Sequence, residues 1–309
     1  MKHIRFAVLL SSTTLSVLSS PALPCSVCRC GDDGLQMTQP PLALAQRPEF
    51  ERLRLSLSHT YSSKSNALGS DEGVGTESQR EYRPAVRGFY QVTRQLSVSA
   101  ELPLTVRRLA VASNHESSVE RSTGFGDLEL TGAWKRGFSS VSDSSVSVGF
   151  SAALKIPMGQ NSLTSDGKRL DEHLQAGTGS YDYTLGGGLA RTLTNGRVFV
   201  SAYFRHNGTN NYAYHYGHAT LFNVGAQRSL KPWLQGTLQL NTRYARRDTD
   251  HEDIVDNTGG WVGYVTPGAR FELQPSTSLS ISVQIPVWQD LYGTQSEKSV
   301  LTTALSVGM

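Results

Sequence analysis

The feature that most constrains this chain is an alternation of apolar and polar residues that returns along most of its length. In Leu96–Val106 every second residue is apolar, and the same pattern recurs at Val146–Ile156, Leu279–Val287 and 301–309. A period of two places all the apolar side chains on one face of a β-strand. Together with eight weaker copies, the pattern predicts about 12 strands of roughly 9–11 residues, enough for a tilted strand to cross a bilayer.

The connections between these strands alternate between short and long. Thr93–Gln95 and Thr194–Gly196 are short, whereas 158–177 and 246–258 are long and polar. Alternation of this kind is typical of outer-membrane barrels, which have tight periplasmic turns and longer outside loops. We therefore predict an all-β fold: a transmembrane, antiparallel, up-and-down β-barrel in the bacterial outer membrane, with both termini periplasmic. The alternative fold is a secreted β-sandwich or jelly roll.

The first residues have the order of a secretory signal peptide. Lys2 and Arg5 precede an apolar run, and small residues follow it at Ser20–Ala22. We predict a signal peptide over 1–22, a periplasmic cysteine-containing segment and linker over 23–48, and the barrel over 49–309.

All three cysteines lie in one short stretch, Cys25, Cys28 and Cys30. Their spacing suits a soft-metal or redox site, a periplasmic disulfide with one spare thiol, or lipid attachment at Cys25. Covalent haem attachment is not supported, because Arg29 stands where C-x-x-C-H requires histidine. The only cofactor that the sequence suggests is therefore a soft metal at this cluster.

If the apolar faces of the strands meet lipid, the alternate residues line the lumen. Isolated charges facing acyl chains would be costly, whereas opposite charges inside the barrel can pair with each other and with water. The predicted charged residues of the lumen are Arg54, Arg83, Arg87, Glu101, Asp127, Glu129, Lys155, Asp182, Arg205, Arg243, Arg270 and Glu272. They are expected either to brace a narrow barrel or to line a hydrated pore for anionic or aromatic solutes.

The remaining features favour no catalytic or nucleic-acid-binding function. A net charge of +3 is too small and scattered to indicate nucleic-acid binding. His206, His215 and His218 share a loop, but a surface loop rarely fixes the geometry of a metal site. His59 is on the opposite strand face from its neighbouring serines, which argues against a catalytic dyad. Aromatic residues near strand ends are expected to form the two interfacial girdles: Tyr61, Tyr82, Tyr90, Trp134, Tyr181, Trp233, Tyr244, Trp261 and Trp288.

Three segments resemble a known family. Residues 122–135 contain Gly124-Phe-Gly-Asp127 before a strand, residues 153–162 contain "LKIPMG", and residues 174–191 contain the signature Gly177-Thr-Gly-Ser-x-Asp182. Over about 50–309 the chain resembles the outer-membrane β-barrel "transporter" family labelled MetA-pathway of phenol degradation-like. The resemblance implies a barrel that passes small, aromatic molecules.

The leading hypothesis is thus an outer-membrane channel for small solutes, without catalysis. The rival is a non-conducting structural barrel whose cysteine motif binds a soft metal or a periplasmic redox protein, and an outer-membrane lipid-modifying enzyme is a distant third. The expected partners are the small-molecule solute, outer-membrane lipids and lipopolysaccharide, and the barrel-assembly machinery.

Overall fold

We describe a computed structural model of the chain, and the structure describes residues 52–68, 75–112, 117–139 and 145–309. The predicted signal peptide, the cysteine segment and residues 49–51 of the predicted barrel lie outside these residues. In the part of the chain described, no helix has the length and hydropathy that a membrane crossing requires.

The described chain is almost entirely β-structure. Nineteen strands are observed: β1 Leu53–Leu68, β2 Gly75–Gln91, β3 Leu96–Ala112, β4 Ser117–Phe125, β5 Leu128–Ser139, β6 Ser145–Ile156, β7 Thr164–Ser165, β8 Lys168–Arg169, β9 Asp182–Leu193, β10 Gly196–His206, β11 Tyr214–His215, β12 Ala219–Lys231, β13 Leu234–Ala245, β14 Thr249–Asp250, β15 Asp253–Ile254, β16 Gly260–Gln274, β17 Thr277–Leu291, β18 Gln295–Glu297 and β19 Val300–Gly308. A 3-10 helix, Glu172–Leu174, lies between β8 and β9.

Fourteen of the strands form one antiparallel sheet that closes on itself. Closure is made by β1, in which Leu57 is paired with Val86 of β2 on one side and with Leu305 of β19 on the other. β4 and β5 follow one another along β3, and β18 and β19 follow one another along β1, so the fourteen strands occupy twelve positions in the wall. The prediction of a closed antiparallel barrel with twelve strand positions is confirmed. Around the twelve-position wall each position is paired on both sides, although β4 pairs only with β3 and β18 only with β1. Such closure is what lets strands cross a bilayer.

The alternation along each strand separates an outer from an inner face. On β3 the outward residues are apolar from Leu96 to Val106, and Leu96, Val98 and Leu102 are each about two-fifths exposed. The inward residues between them include Glu101 and Thr105, which are buried. Such an apolar outside and polar inside is the reverse of a water-soluble barrel and places the wall in a bilayer.

The two rims differ. At one rim, which we call the short-turn end, the described connections are two to four residues long, and Leu53 N–H donates to Met309 O at 3.3 Å. At the opposite rim, the long-loop end, the connections include 157–181, 207–218 and 246–259. The sequence analysis predicted that the termini are periplasmic, and in outer-membrane barrels the short turns lie on that side, so the short-turn end is expected to be periplasmic.

Candidate functional site

Five charged side chains from consecutive wall positions lie side by side on the inner face. The strand register places Arg87 opposite Glu101, Glu101 opposite Glu129, Glu129 opposite Lys155, and Lys155 opposite Asp182. We call these five residues the charge belt. Because they are adjacent across hydrogen-bonded strands, their charges interact at close range in a site largely shielded from water.

Lys155 is the most enclosed cation of the charge belt. Its side chain is 1% exposed, contacts the carboxylate of Asp182, and lies 3.6 Å (Nζ to Oδ2) from Asp127. Nζ also donates to the Thr178 hydroxyl at 2.6 Å. A buried ammonium is tolerated only with such partners. Lys155 therefore joins the inner wall to the chain that contains Thr178.

The other members of the charge belt are also paired. Glu129 accepts from Arg205 Nη2 at 2.6 Å, and Arg205 Nε donates to Thr184 Oγ1 at 2.9 Å. Glu101 is in contact with Arg87 and is 3.7 Å from Arg83 Nη2.

Residues 157–181, which we call the inserted segment, fold into the long-loop end of the lumen. Within it, His173, Leu174, Gln175 and Ala176 are all buried, as expected for chain inside a barrel and not above it. The 3-10 helix begins after Asp171, whose Oδ1 accepts from the His173 N–H at 2.8 Å. The sequence analysis expected 158–177 to be a long polar loop and did not foresee its insertion.

The wall holds the inserted segment from the side of β2 and β3. Arg107 donates to the carbonyl of Gln175, and Gln79 Nε2 donates to the carbonyl of His173 at 3.3 Å. An apolar cluster joins Leu109 of β3 to Leu170 and Leu174 of the inserted segment. The attachment thus combines hydrogen bonds with apolar packing.

Asp127, at the junction of β4 and β5, holds both ends of the inserted segment. Its Oδ1 accepts from the Gly159 N–H at 2.9 Å, and its Oδ2 accepts from the N–H and the hydroxyl of Thr178 at 2.8 Å each. A Cβ on Gly177 would stand 2.6 Å from the Gly159 Cα, so this close approach requires glycine. The motif residues Asp127, Gly177 and Thr178 therefore form the base of the inserted segment.

The opposite side of the inserted segment meets two other loops. The hydroxyl of Tyr214 is 2.8 Å from His173 Nε2 and donates to Asp248 Oδ2 at 2.8 Å. Tyr216 donates to the carbonyl of Glu172 at 3.0 Å. Burial raises the pKa of the Asp248 carboxyl, although His173 opposes that shift, and burial together with Asp248 raises the pKa of Tyr214.

The remaining predicted lumen charges lie at both ends. Arg243 contacts Glu297, whose Oε1 is also 3.7 Å from Lys64 Nζ. At the short-turn end Arg270 Nε is 2.7 Å from Glu272 Oε1, and both side chains are 30% exposed. Arg54, in β1, is half-buried.

The sequence analysis missed five inward charges of the wall near the long-loop end. Lys64, Glu77, Glu81, Arg107 and Glu297 are all buried, and Arg107 Nε is 3.3 Å from Glu81 Oε2. The first four lie where β1, β2 and β3 run on past the span of a bilayer. Apolar and polar residues do not alternate in 62–66 or in 76–81, so the pattern used to predict the lumen does not extend to them.

The structure brings His206, His215 and His218 together, and their contacts lie within or beside the loop 207–218. The rings of His206 and His218 are 4.4 Å apart, and those of His215 and His218 are 4.9 Å apart. His218 Nδ1 accepts from the Asn207 N–H at 3.2 Å. Burial and then the two neighbouring imidazoles lower the pKa of His218 to about 4. Within the described residues no set of three or more ligands suited to a metal ion is found, and Cys25, Cys28 and Cys30 lie outside those residues.

Between the inserted segment and the short-turn end, part of the described inner wall is only partly buried. Several small or polar inward positions of β5, β6 and β9 are half-exposed there: Thr131, Ser151, Ala153, Gly186 and Gly188. Arg83 and Arg87, at 16% and 21% exposure, also reach this space. We call this space the vestibule; the inserted segment lies on its long-loop side, and inward residues such as Phe89 and Phe199 are buried closer to the short-turn end.

Comparison with known proteins finds solved structures that share the fold of this chain. No family model and no curated protein matches the sequence. Among solved structures, an outer membrane channel from Pseudomonas putida F1 aligns with a TM-score of 0.66 at 12% identity, covering 88% of this chain and 99% of that one. The transport unit of the autotransporter AIDA-I from Escherichia coli aligns at 0.48 and 9% identity, covering 87% and 93%. The toluene transporter TbuX from Ralstonia pickettii aligns at 0.39 and 9% identity, covering 84% and 90%.

The first of these similarities extends over nearly the whole barrel and concerns the fold. Together with the apolar outer face, it identifies the protein as a β-barrel of the bacterial outer membrane. The more specific family label suggested by the three sequence motifs stays a prediction.

Proposed function

We propose that the protein is an outer-membrane channel for small solutes, without catalysis, and that anionic or aromatic solutes are favoured. The observation that carries the proposal is the partly exposed vestibule at the short-turn half of the lumen. Its arginines outnumber its carboxylates: Arg83 and Arg87 share Glu101, while Arg270 faces Glu272. An excess of positive charge attracts anions, and guanidinium groups also bind aromatic faces.

The fold supports a channel as well. The barrel from Pseudomonas putida that shares it is an outer membrane channel. A likeness of fold does not fix the solute, so the chemistry of the vestibule has to carry that part of the proposal.

Single-channel recording in a planar bilayer tests both parts. With a salt gradient across the membrane, the reversal potential of the native protein should have the sign of anion selectivity. Replacing Arg83, Arg87 and Glu101 together by glutamine removes one net positive charge without leaving a buried carboxylate unpaired, and should shift selectivity towards cations. As a matched control, the exposed, outward Arg228→Gln also removes one positive charge and should change nothing. Cation selectivity in the native protein would contradict the preference for anions.

A non-conducting structural barrel is the second candidate, because the inserted segment fills the long-loop half of the lumen. In that case the function would belong to the segment that contains Cys25, Cys28 and Cys30, as a soft-metal site or a contact for a periplasmic redox protein. Absence of any current from correctly folded barrels would favour this candidate. Changing the three cysteines to serine, with unchanged metal content and unchanged partner binding, would count against it.

A further inference from the structure

Three arginines stand next to one another on the outer face near the long-loop end. Arg80 of β2 is paired with Arg108 of β3, and Arg108 is paired with Arg121 of β4. All three side chains are exposed. Like charges directly opposite each other on neighbouring strands are destabilising. The arrangement is therefore a cost to the folded barrel unless an anion offsets it.

The same outward row continues across β1 to the end of β18. Ser63 is opposite Arg80, and the Lys298 N–H donates to Ser63 O at 3.1 Å. Lys298 is exposed, whereas its neighbour Glu297 faces the lumen. We call Arg80, Arg108, Arg121 and Lys298 the cation row.

Among the described residues, the carboxylates near the cation row point elsewhere. Glu77 is buried in the lumen, and Glu120 is opposite the inward Leu109. Asp290 is exposed, but β18 separates its strand from β1. Among the residues that the structure describes, no ion pair joins the cation row to an acidic side chain.

The depth of the cation row is set by the residues beneath it. The next outward positions towards the short-turn end are Tyr82, Val106 and Thr123, and the Tyr82 ring is 5.0 Å from that of Tyr61. Below them the outward face is apolar, with Phe125 60% exposed. Aromatic residues of this kind lie at the boundary between acyl chains and headgroups. The cation row is thus at the level of lipid headgroups.

We propose that the cation row binds the phosphate groups of lipopolysaccharide in the outer leaflet. Neighbouring strands are about 4.8 Å apart, so the three guanidinium groups stand within about 10 Å and can engage one phosphorylated headgroup together. The long-loop end faces the outer leaflet in barrels of this class. The site is separate from the lumen, so it does not depend on the proposed channel function.

Binding of defined lipids to the purified, folded protein tests the proposal. Nanodiscs would carry lipid A with both phosphates, lipid A freed of its phosphates, or a zwitterionic phospholipid alone, and bound lipid A would be quantified by native mass spectrometry. Replacing Arg80, Arg108 and Arg121 by glutamine should weaken binding of phosphorylated lipid A about 100-fold. Each lost cation is expected to reduce the affinity by about tenfold or less. Replacing the same three by lysine keeps the charge and should cost less than about tenfold.

A matched triple variant uses three exposed, outward arginines at the short-turn end, Arg136→Gln, Arg191→Gln and Arg228→Gln, and should bind as the native protein does. Folding of each variant is checked by comparing the gel migration of heated and unheated samples. The substitutions in the cation row lie on the exposed surface and relieve repulsion between like charges, so the barrel should form. Equal binding of dephosphorylated lipid A, or unchanged binding by the glutamine variant of the cation row, would overturn the proposal. Equally effective competition by inorganic phosphate would show a simple anion site and would also overturn it.

Discussion

Replacing Asp127 by alanine should release the inserted segment while leaving the barrel wall folded. The change leaves the Gly159 and Thr178 amides without their acceptor, and each unsatisfied buried donor costs about 1–3 kcal/mol. Lys155 keeps its contact with Asp182, so no buried cation is left without a partner. We therefore expect local opening to become easier by about 3 kcal/mol, which is roughly a 100-fold rise in the open population.

Hydrogen exchange measures this opening at amides that do not touch Asp127. The Gly177 N–H donates to Gln160 O at 2.9 Å, and the Leu163 N–H donates to Gln175 Oε1 at 2.8 Å. Both amides should exchange about 100-fold faster in the variant, since exchange tracks the open population. Amides of β16 should be unaffected, and the exposed Asp253→Ala is the matched control. Unchanged exchange at Gly177 and Leu163 would refute the claim that Asp127 anchors the segment.

Three further changes test other contacts. Gly177→Ala should lower the free energy of unfolding by about 1–3 kcal/mol, because the added Cβ overpacks the site, and this is measured as a lower urea midpoint. Gly137→Ala should not change the midpoint, because nothing lies near its added Cβ. A double-mutant cycle of Glu129→Gln and Arg205→Met should give a coupling of about 1–3 kcal/mol in unfolding free energy, and a value near zero would contradict a buried pair. Because the pKa of His218 is lowered to about 4, its loop should be protected above pH 6.5 and lose protection as pH falls towards 4. His218→Asn keeps an acceptor but cannot titrate, so hydrogen exchange in that variant should lose this pH dependence.

The strands could be predicted from sequence because lipid on one side and polar contents on the other impose a strict period of two. Leu96–Val106 has this pattern without interruption, and it corresponds to the membrane part of β3. The sequence did not indicate where strands end, since β3 continues past Val106 to Ala112, and its outward residues there are Arg108, Ala110 and Ala112. It also did not indicate that Gly126 and Asp127 separate β4 from β5. Apolar and polar residues alternate before and after this interruption, so the two strands resemble one continuous strand in the sequence.

The inserted segment could not be predicted, because its placement depends on contacts between residues far apart in sequence. Asp127 was identified as a lumen charge from its position beside a strand, but its backbone partners Gly159 and Thr178 carry no periodic pattern. Arg107 donates to the backbone carbonyl of Gln175 in the segment. Every residue type has a backbone carbonyl, so the sequence does not indicate such a contact. The glycines of the motif are compatible with a close approach of two chain segments, but the sequence does not indicate that Gly177 lies against Gly159.

The charges of the lumen divide by exposure into two groups with different roles. Arg107, Lys155 and Arg205 are each about 1% exposed and pair with carboxylates, whereas the arginines of the vestibule reach water. Breaking one buried pair costs about 3–5 kcal/mol. A solute that binds at millimolar concentration supplies about 4 kcal/mol in total, which is less than the combined attachments of the inserted segment. In the proposed channel, permeation should therefore proceed beside the inserted segment and not by its displacement, and the segment should set an upper limit on solute size.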